Sequence, residues 1–577
     1  PLTIRLVKGA NLEMERVHAS VGGWPLAPYT NKHDTDANFK RMLWELITAA
    51  ADGNIRVGVA SHNLFDVALA MIWTQRSGAS DSVQFEMLEG MANHQRRALT
   101  ERDAAMLLYA PACTKSDFLH AITYLIRRLD ENTGAENFLR HAYRLQPDTP
   151  DFELLAGRFK DALMDCKTVS VQPRRTQNRY QTPVQPPAAE HWTNFVNEPD
   201  TDWSLPHNSK WAQETLDRWK PLCDEQATRV TPVLVGLPDA ESLDGDDRVS
   251  AEWFTTDDVS RPGVVTCRYK KATSPAVESA VKASSESTWA ADLPVDERFA
   301  ILRSVAQLAR ERRGDWIGSM VAGAGKTVAE ADPEVSEAID FLEFYPLTMK
   351  AWDECDGIRC EPRGVVAVIT PWNFPLAIAC GGIAAAIAAG NPVVVKPSMQ
   401  TLLPAWLMCQ AFWDAGVPRD ALQFVICDDE VAEEWLVKNP IVDTVILTGG
   451  TSTAKRMLDV RPDLHLLAET GGKNVTVVTA MADRDLAIKH VLHSAFGHSG
   501  QKCSATSLLL LENEVFDDPE FREILADAVR SLPVGSAWDL HTRVTPLVDP
   551  PTDKLRRGLQ ELEGGESWLV MSEHVDG

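Results

Sequence analysis

The 577-residue chain lacks several features that point to common classes of protein. Its ten cysteines form no Cys-x-x-Cys pair and no cysteine and histidine cluster at zinc spacing, so we expect no structural metal. Unpaired cysteines favour reduced thiols in a cytoplasmic compartment. A formal net charge of −25 offers no broad basic surface for nucleic acid. We see no internal repeat and no signal peptide.

Apolar runs long enough to span a membrane are also missing. Residues 374–390 are apolar, but the run is short and rich in alanine, so we interpret it as a buried helix. With 44% hydrophobic and 24% charged residues, the composition is that of a globular protein. The length is sufficient for about three or four domains with large cores.

The first part of the chain alternates strand-like and helix-like patterns. Residues 2–7, 55–60, 83–88 and 106–110 are apolar stretches, and residues 37–51, 65–76 and 92–102 between them have helical spacing. This alternation predicts βα units around a parallel sheet, and four strands are half of an eight-stranded barrel. The chain starts at a proline beside the first strand, so we expect it to begin within a domain.

The second part carries three buried strands that end in polar or glycine residues. Residues 364–369 lead into Thr370-Pro-Trp-Asn-Phe-Pro, residues 393–396 end in a lysine, and residues 445–448 run into two glycines at a helix start. Ligands of α/β folds bind at such carboxyl ends, and glycines let the backbone approach a pyrophosphate. The candidate binding residues are Asn373, Lys396, Gly449, Gly450, Thr451 and Ser452.

A nucleophile and a base follow. Cys503 lies in Gly497-His-Ser-Gly-Gln-Lys-Cys-Ser-Ala, and Glu469 lies thirty-four residues earlier in Leu-Ala-Glu-Thr-Gly-Gly-Lys-Asn. A lone cysteine is more often a small buried hydrophobic residue, and a glutamate is more often on the surface. Together with the binding residues, however, the pair indicates an enzyme in which a thiolate attacks and a carboxylate activates water.

The order Asn373, Lys396, Gly449-Gly450, Glu469, Cys503 resembles the aldehyde dehydrogenase superfamily over residues 250–577. The resemblance implies that Cys503 adds to an aldehyde carbonyl and that the Asn373 amide and the Cys503 N–H hold the oxyanion. It also implies that Glu469 deprotonates water to release a carboxylic acid. Lys396 and residues 449–452 would bind NAD in a Rossmann-like domain.

Two departures from the family pattern concern the cofactor. Met399 stands where the family often has a glutamate that binds ribose hydroxyls, and Cys427-Asp-Asp-Glu replaces a glycine-rich turn. The choice of NAD over NADP therefore rests mainly on the resemblance. An acidic Asp428 or Asp429 near the ribose would disfavour a 2′-phosphate.

Motifs in the first 145 residues resemble the carboxyl half of the FAD-dependent proline dehydrogenase (β/α)8 barrel. They are Arg5-Leu-Val-Lys-Gly-Ala, Ala60-Ser-His-Asn, Phe85-Glu-Met-Leu-Glu-Gly-Met, Tyr109-Ala-Pro and Tyr124-Leu-Ile-Arg-Arg-Leu-Asp-Glu-Asn-Thr. By motif position, the resemblance assigns the proline site to Arg127, Arg128, Tyr109 and Leu88, and the flavin contacts to Arg5, Lys8, His62 and Glu131. If the resemblance is set aside, each of these could instead be a strand-end or helix-surface residue.

The two modules in this order resemble the bifunctional proline utilization A family. That resemblance implies oxidation of L-proline to pyrroline-5-carboxylate, hydrolysis to glutamate semialdehyde, and oxidation of this aldehyde at Cys503, with Ser504 helping to anchor the substrate carboxylate. It also implies a quinone acceptor at the surface of the inner membrane and a homo-oligomer. Two alternatives stay open: a general NAD(P)-dependent aldehyde dehydrogenase with a vestigial barrel, and a non-enzymatic regulator or scaffold.

The expected fold is therefore α/β: a half-barrel followed by an aldehyde dehydrogenase fold. We assign residues 1–145 to the partial barrel, 146–250 to a linker, 251–480 to helices and the NAD-binding domain, and 481–577 to a partial catalytic domain. We expect the sequence to be a fragment at both ends. Gly323-Ala-Gly-Lys-Thr imitates a phosphate-binding loop, but Met320 replaces the first required glycine, so we reject an ATPase.

Overall fold

A computed structural model describes residues 2–9, 12–102, 104–115, 118–142, 145–237 and 245–573. The chain divides into two compact units, Pro1–Thr176 and Gln177–Gly577. The division falls inside the segment 146–250 that we expected to be a linker, and this segment contains two long helices. No helix in the described part of the chain is both long and apolar enough to cross a membrane.

The first unit is built on a four-stranded parallel sheet in the order β1-β2-β3-β4, which confirms the four strands predicted from the apolar stretches. The strands are β1 Leu2–Leu6, β2 Ile55–Ala60, β3 Val83–Leu88 and β4 Met106–Tyr109. The helices are α1 Leu12–Gly22, α2 Lys32–Ala51, α3 Leu64–Arg76, α4 Asn93–Thr100, α5 Phe118–Thr133, α6 Phe138–Ala142 and α7 Pro150–Asp165.

The core of this unit lies between the sheet and its helices. Phe39, Leu43 and Ile47 recur at helical spacing along α2 and are buried together with Val57 and Val59 of β2. The side chain of Asn31 caps α2 by accepting the Asp34 N–H. Because all four strands run the same way, their carboxyl ends lie at one edge of the sheet.

The second unit contains three sheets. A five-stranded parallel sheet has the order β10-β9-β8-β11-β12, a two-stranded parallel sheet joins β13 to β14, and a three-stranded sheet has the order β5-β7-β6. The strands are β5 Thr228–Val230, β6 Phe254–Asp258, β7 Arg261–Tyr269, β8 Val365–Ile369, β9 Val393–Lys396, β10 Leu422–Phe424, β11 Val442–Gly449, β12 His465–Thr470, β13 Asn474–Val478 and β14 Thr506–Leu511.

Fourteen α-helices are described in this unit. They are α8 Pro206–Trp219, α9 Ser274–Glu286, α10 Trp289–Asp292, α11 Val295–Glu311, α12 Arg313–Ala324, α13 Val328–Asp353, α14 Ala377–Ala388, α15 Leu402–Asp414, α16 Asp429–Ala432, α17 Thr451–Val460, α18 Arg484–Phe496, α19 Asn513–Phe516, α20 Pro519–Arg530 and α21 Asp553–Gln560. Of these, α9, α14, α15 and α17 pack against the five-stranded sheet.

Burial on both faces explains why the central strands are continuous apolar runs. In β8, Val366 and Val368 pack into one hydrophobic cluster, while Val365 and Ala367 pack into a second cluster on the opposite face. The alanine-rich α14 is almost wholly buried in the first cluster, as the sequence predicted for residues 374–390.

Candidate active site

The register of the five-stranded sheet gathers the predicted binding residues at its carboxyl edge. Ile369 of β8 pairs with Lys396 of β9 on one side and with Leu447 of β11 on the other. The next residue of β11, Thr448, pairs with Glu469 of β12. The loop that carries Asn373 leaves β8 at the same edge. Strand direction and register therefore bring together residues that are up to a hundred positions apart.

The amide of Asn373 reaches the loop that carries Cys503. Asn373 Nδ2 donates a hydrogen bond to the Gln501 carbonyl at 2.8 Å. Cys503 follows two residues later in an exposed turn before β14. Asn474, the first residue of β13, holds this turn from the other side, because its Nδ2 donates to the Cys503 carbonyl at 2.6 Å and to the Ala505 carbonyl at 2.9 Å.

Glu469 is exposed near the end of β12, and in the described part of the chain its carboxylate has no hydrogen bond or ion pair. The Gly471-Gly472 turn connects β12 to β13, whose Asn474 anchors the Cys503 turn. Ser504 is exposed beside Cys503. The catalytic roles of Glu469, Asn373 and Cys503, and the substrate contact of Ser504, stay predictions.

The segment before Cys503 has an unusual backbone. His498 and Ser499 have φ values of 48° and 57°, in the left-handed region that residues with a Cβ seldom adopt. Ser499 Oγ donates to the Thr545 carbonyl at 2.6 Å and accepts the Thr545 N–H at 3.0 Å. Glu330, near the start of α13, accepts the His498 N–H. Contacts from distant parts of the chain thus hold the strained segment in place.

The side chain of His498 is completely buried in the second unit. Neither ring nitrogen has a hydrogen-bond partner among the described residues. Burial, together with the nearby ammonium groups of Lys326 and Lys502, lowers the pKa of His498 to about 2. The imidazole is therefore neutral at any ordinary pH.

A buried ion pair supports the Asn373 loop. Glu334 of α13 accepts the N–H groups of Leu376 and Ala377 at 3.0 and 3.1 Å, where α14 begins, and it pairs with Lys326. The Lys326 ammonium also lies 3.7 Å from the centre of the Phe374 ring. Lys326 is the lysine of the Gly323-Ala-Gly-Lys-Thr motif. Its ammonium is paired with Glu334 inside the protein, which agrees with our rejection of an ATPase function for this motif.

The proposed dinucleotide site occupies the same edge. Lys396 is almost buried, and its ammonium lies 3.0 Å from the Asp429 carboxylate. Gly449 and Gly450 precede α17, whose first residues Thr451 and Ser452 are exposed.

The fold itself does not require the two glycines. Neither has a positive φ, and a Cβ at Gly449 or Gly450 would come no closer than 3.4 Å to its neighbours. A side chain could therefore be accommodated in the isolated chain. Glycine at both positions instead suits the close approach of a ligand to the backbone, so these residues fit a dinucleotide.

Several of the residues assigned to the flavin and to proline lie at the carboxyl edge of the sheet in the first unit. His62 follows β2, and its Nε2 accepts the N–H of Leu88 at 3.1 Å. Burial lowers the pKa of His62 below its usual range. Arg5 of β1 is half exposed and pairs with the buried Glu86 of β3. The exposed Tyr109 at the end of β4 has its ring centre 5.6 Å from that of Tyr124.

The ammonium group of Lys8 is already engaged by two carboxylates. It pairs with Asp66 and lies 2.6 Å from Asp36. Burial lowers the pKa of Lys8, but the two carboxylates outweigh this effect and the net shift is upward. Arg128 lies in α5, with its guanidinium 5.2 Å from the centre of the Tyr124 ring. Arg127 and Glu131 also lie in α5, but their side chains are outside the described residues.

A cavity of about 880 Å³ in the second unit does not include the candidate site. Its walls include Trp219, Trp316, Trp406 and Trp413, and none of the predicted site residues lines it. We place the candidate site at the carboxyl edge of the sheet, because Lys396 ends β9 there and the Asn373 loop, which contacts the turn that carries Cys503, leaves β8 at the same edge.

Sequence reasoning missed the residues that position the site. Asn474 is the last residue of the motif that contains Glu469, but the motif alone did not indicate its role. In the structure its side-chain amide holds the turn that carries Cys503. Glu330, Glu334 and Thr545 gave no local signal, because their partners lie between 42 and 168 positions away.

Comparison with known proteins identifies the family. A profile of the aldehyde dehydrogenase family matches residues 255–566, which is more than half of the chain. The chain belongs to the aldehyde dehydrogenase family. A profile of proline dehydrogenase matches residues 1–141. The fold predicted from the sequence, with a proline dehydrogenase segment before an aldehyde dehydrogenase fold, is confirmed.

Two kinds of protein are similar to this member of the aldehyde dehydrogenase family. The bifunctional protein PutA of Escherichia coli (strain K12) is 30% identical over 572 residues, covering 95% of this chain and 40% of that protein. The 1-pyrroline-5-carboxylate dehydrogenase of Oceanobacillus iheyensis is 30% identical over 404 residues, covering 65% of this chain and 75% of the relative. The chain thus spans less than half the length of the bifunctional relative.

A solved structure agrees with both domains. Proline utilization A (PutA) from Corynebacterium freiburgense is 35% identical, with a TM-score of 0.78, and the match covers 100% of this chain and 51% of that chain. The similarity in fold therefore extends along the whole of this chain.

Proposed function

We propose that this chain belongs to a bifunctional enzyme of proline catabolism. One part oxidises L-proline to pyrroline-5-carboxylate with FAD, and the other oxidises glutamate semialdehyde to L-glutamate with NAD. The observation that carries the proposal is the succession, in one chain, of a proline dehydrogenase segment and an edge where Asn373 contacts the Cys503 loop.

The second reaction follows from the groups at this edge. The Cys503 sulfur attacks the aldehyde carbon and forms a C–S bond. Asn373 has two amide N–H groups, and since one donates to Gln501, the other can hold the oxyanion together with the Cys503 N–H. Loss of hydride from the adduct leaves a thioester on Cys503. Glu469 takes a proton from water, which attacks the thioester and releases the acid and the thiol.

NAD, when bound, accepts the hydride. Lys396 and the start of α17, with Gly449, Gly450, Thr451 and Ser452, would hold it. In the first unit, Arg5, Lys8, His62 and Glu131 would hold FAD, which accepts two electrons from proline. Arg127 and Arg128 would bind the proline carboxylate through their planar guanidinium groups, with Tyr109 and Leu88 beside it. Ser504 would contact the carboxylate of the semialdehyde.

We further propose a cytoplasmic homo-oligomer that passes electrons from the flavin to a quinone at the inner membrane surface. The ten unpaired cysteines support a reducing compartment. A general aldehyde dehydrogenase with a vestigial barrel is less well supported, because the similar proteins named above are bifunctional or act on 1-pyrroline-5-carboxylate. A scaffold has no need of a nucleophile, an amide donor and a base at one edge.

The test measures NADH formation by the purified complete protein, first from glutamate semialdehyde and then from L-proline with a soluble quinone as electron acceptor for the flavin. We expect both substrates to give NADH and Cys503→Ala to abolish both signals, whereas the matched change of another exposed cysteine, Cys360→Ala, leaves them unchanged. Bleaching of the flavin absorbance by L-proline tests the first step separately. NADH formation by the Cys503→Ala protein would refute the mechanism, and a flavin that L-proline never bleaches would refute the bifunctional assignment.

A further inference from the structure

Two neighbouring aspartates after β10 have different partners. Asp428 lies 2.6 Å from the Lys271 ammonium, whereas Asp429 lies 3.0 Å from the ammonium of Lys396. Only Asp429 therefore contacts a residue of the proposed dinucleotide site. Its side chain is 88% exposed, so its second oxygen is open to a ligand.

The residues that follow Lys396 carry no charge that would distinguish a sugar hydroxyl from a phosphate. Met399, three residues further on, has only a thioether sulfur, which is a weak acceptor. Ser398 Oγ donates a hydrogen bond to the Gln400 side chain and keeps only an uncharged acceptor. Asp429 thus places a carboxylate beside the Lys396 ammonium, although the residues next to Lys396 in the sequence provide none.

The charges at this position favour a hydroxyl over a phosphate. Lys396 and Lys271 are each matched by one aspartate, and the exposed Glu430 adds a further negative charge. A 2′-phosphate carries a charge of roughly −1.5 to −2 at neutral pH. The 2′-phosphate would lie beside a lysine that is already paired and beside more carboxylates than lysines, so it would be repelled. A 2′-hydroxyl, by contrast, can donate a hydrogen bond to a carboxylate.

We infer that Asp429 is the residue that selects NAD over NADP in this chain, by accepting a hydrogen bond from the ribose and repelling a 2′-phosphate. The inference rests on the proposed use of a nicotinamide cofactor at the Lys396 edge. Asp429, on a different loop, would thus distinguish NAD from NADP, which the uncharged side chain of Met399 cannot do.

Equilibrium binding of NAD+ and NADP+, measured by calorimetry without any aldehyde, tests this inference. We expect the unchanged protein to bind NAD+ more tightly by at least about tenfold, and Asp429→Ala to reduce this ratio by about tenfold, mainly through tighter NADP+ binding. The matched change Asp428→Ala should leave the ratio unchanged. Because Asp429 is exposed, the substitution should not disturb folding, which circular dichroism would verify.

Salt gives a second measurement. If like charges oppose NADP+, raising the ionic strength should improve NADP+ binding to the unchanged protein relative to NAD+, and this difference should shrink in Asp429→Ala. An unchanged binding ratio in Asp429→Ala, with NAD+ still bound, would overturn the role of Asp429 alone. A protein that binds neither dinucleotide would instead refute the proposed function, and with it this inference.

Discussion

At the scale of single residues, His498 couples the Cys503 segment to pH. Its imidazole is buried and neutral, in a backbone conformation that contacts with Glu330 and the neighbouring Ser499 maintain. The unfolded chain would take up a proton on this side chain near its ordinary pKa, whereas the folded chain does so only at a pKa of about 2.

The sign of the pH effect follows from this difference. A lowered pKa means that the unfolded state binds more protons below about pH 6.5, so stability falls as the solution is acidified. We expect His498 to account for a loss of about 2 kcal/mol in the free energy of unfolding between pH 7 and pH 5. His498→Asn, which does not titrate and tolerates a positive φ, should remove this part of the slope in urea unfolding. Parallel pH profiles of the two proteins would contradict the assignment.

At the scale of secondary-structure elements, the Lys326 and Glu334 pair ties the start of α13 to the start of α14. Both side chains are buried, and Glu334 also accepts two N–H groups of the next helix. Removing one member leaves an uncompensated charge in the core, which costs more than replacing both by apolar residues.

We therefore expect Lys326→Met alone to lower the free energy of unfolding by about 3 kcal/mol or more. The double change Lys326→Met with Glu334→Gln should recover part of that loss, because no unpaired charge is left. Urea unfolding of the single and double variants forms a mutant cycle, with Lys554→Ala as an exposed control. Additive effects of the two substitutions would show that the pair does not act as a unit.

The segment between residues 177 and 208 shows a limit of element-level reasoning. We assigned this segment to a linker, yet polar contacts fix it to the helices of the second unit. Thr201 donates through its N–H and its hydroxyl to the buried Asp332, which also pairs with Arg313. These partners are about 112 to 131 positions away, so a local pattern could not reveal them.

At the scale of the whole molecule, the division into two units predicts two unfolding steps. Each unit has its own hydrophobic core: Leu43 is fully buried in the first and Leu342 in the second. Independent cores allow the units to unfold separately.

Matched leucine substitutions test this independence. Leu43→Ala and Leu342→Ala should each cost about 2–5 kcal/mol through lost burial and a cavity. In differential scanning calorimetry, we expect Leu43→Ala to lower one transition temperature and Leu342→Ala to lower the other. A common shift of all the heat absorption in either variant would show that the units unfold as one.

The sequence by itself determined the strands and the identity of the chemical groups. A strand buried on both faces must be apolar along its length, so residues 365–369 and 393–396 were readable, as were the glycines, Asn373, Glu469 and Cys503 that follow or adjoin such strands. Tertiary structure decided which of these groups meet and what holds them. The separation of Asp428 from Asp429, the left-handed turn at His498 and the anchoring by Asn474 all depend on contacts between distant segments, which form only when the sheets and helices pack.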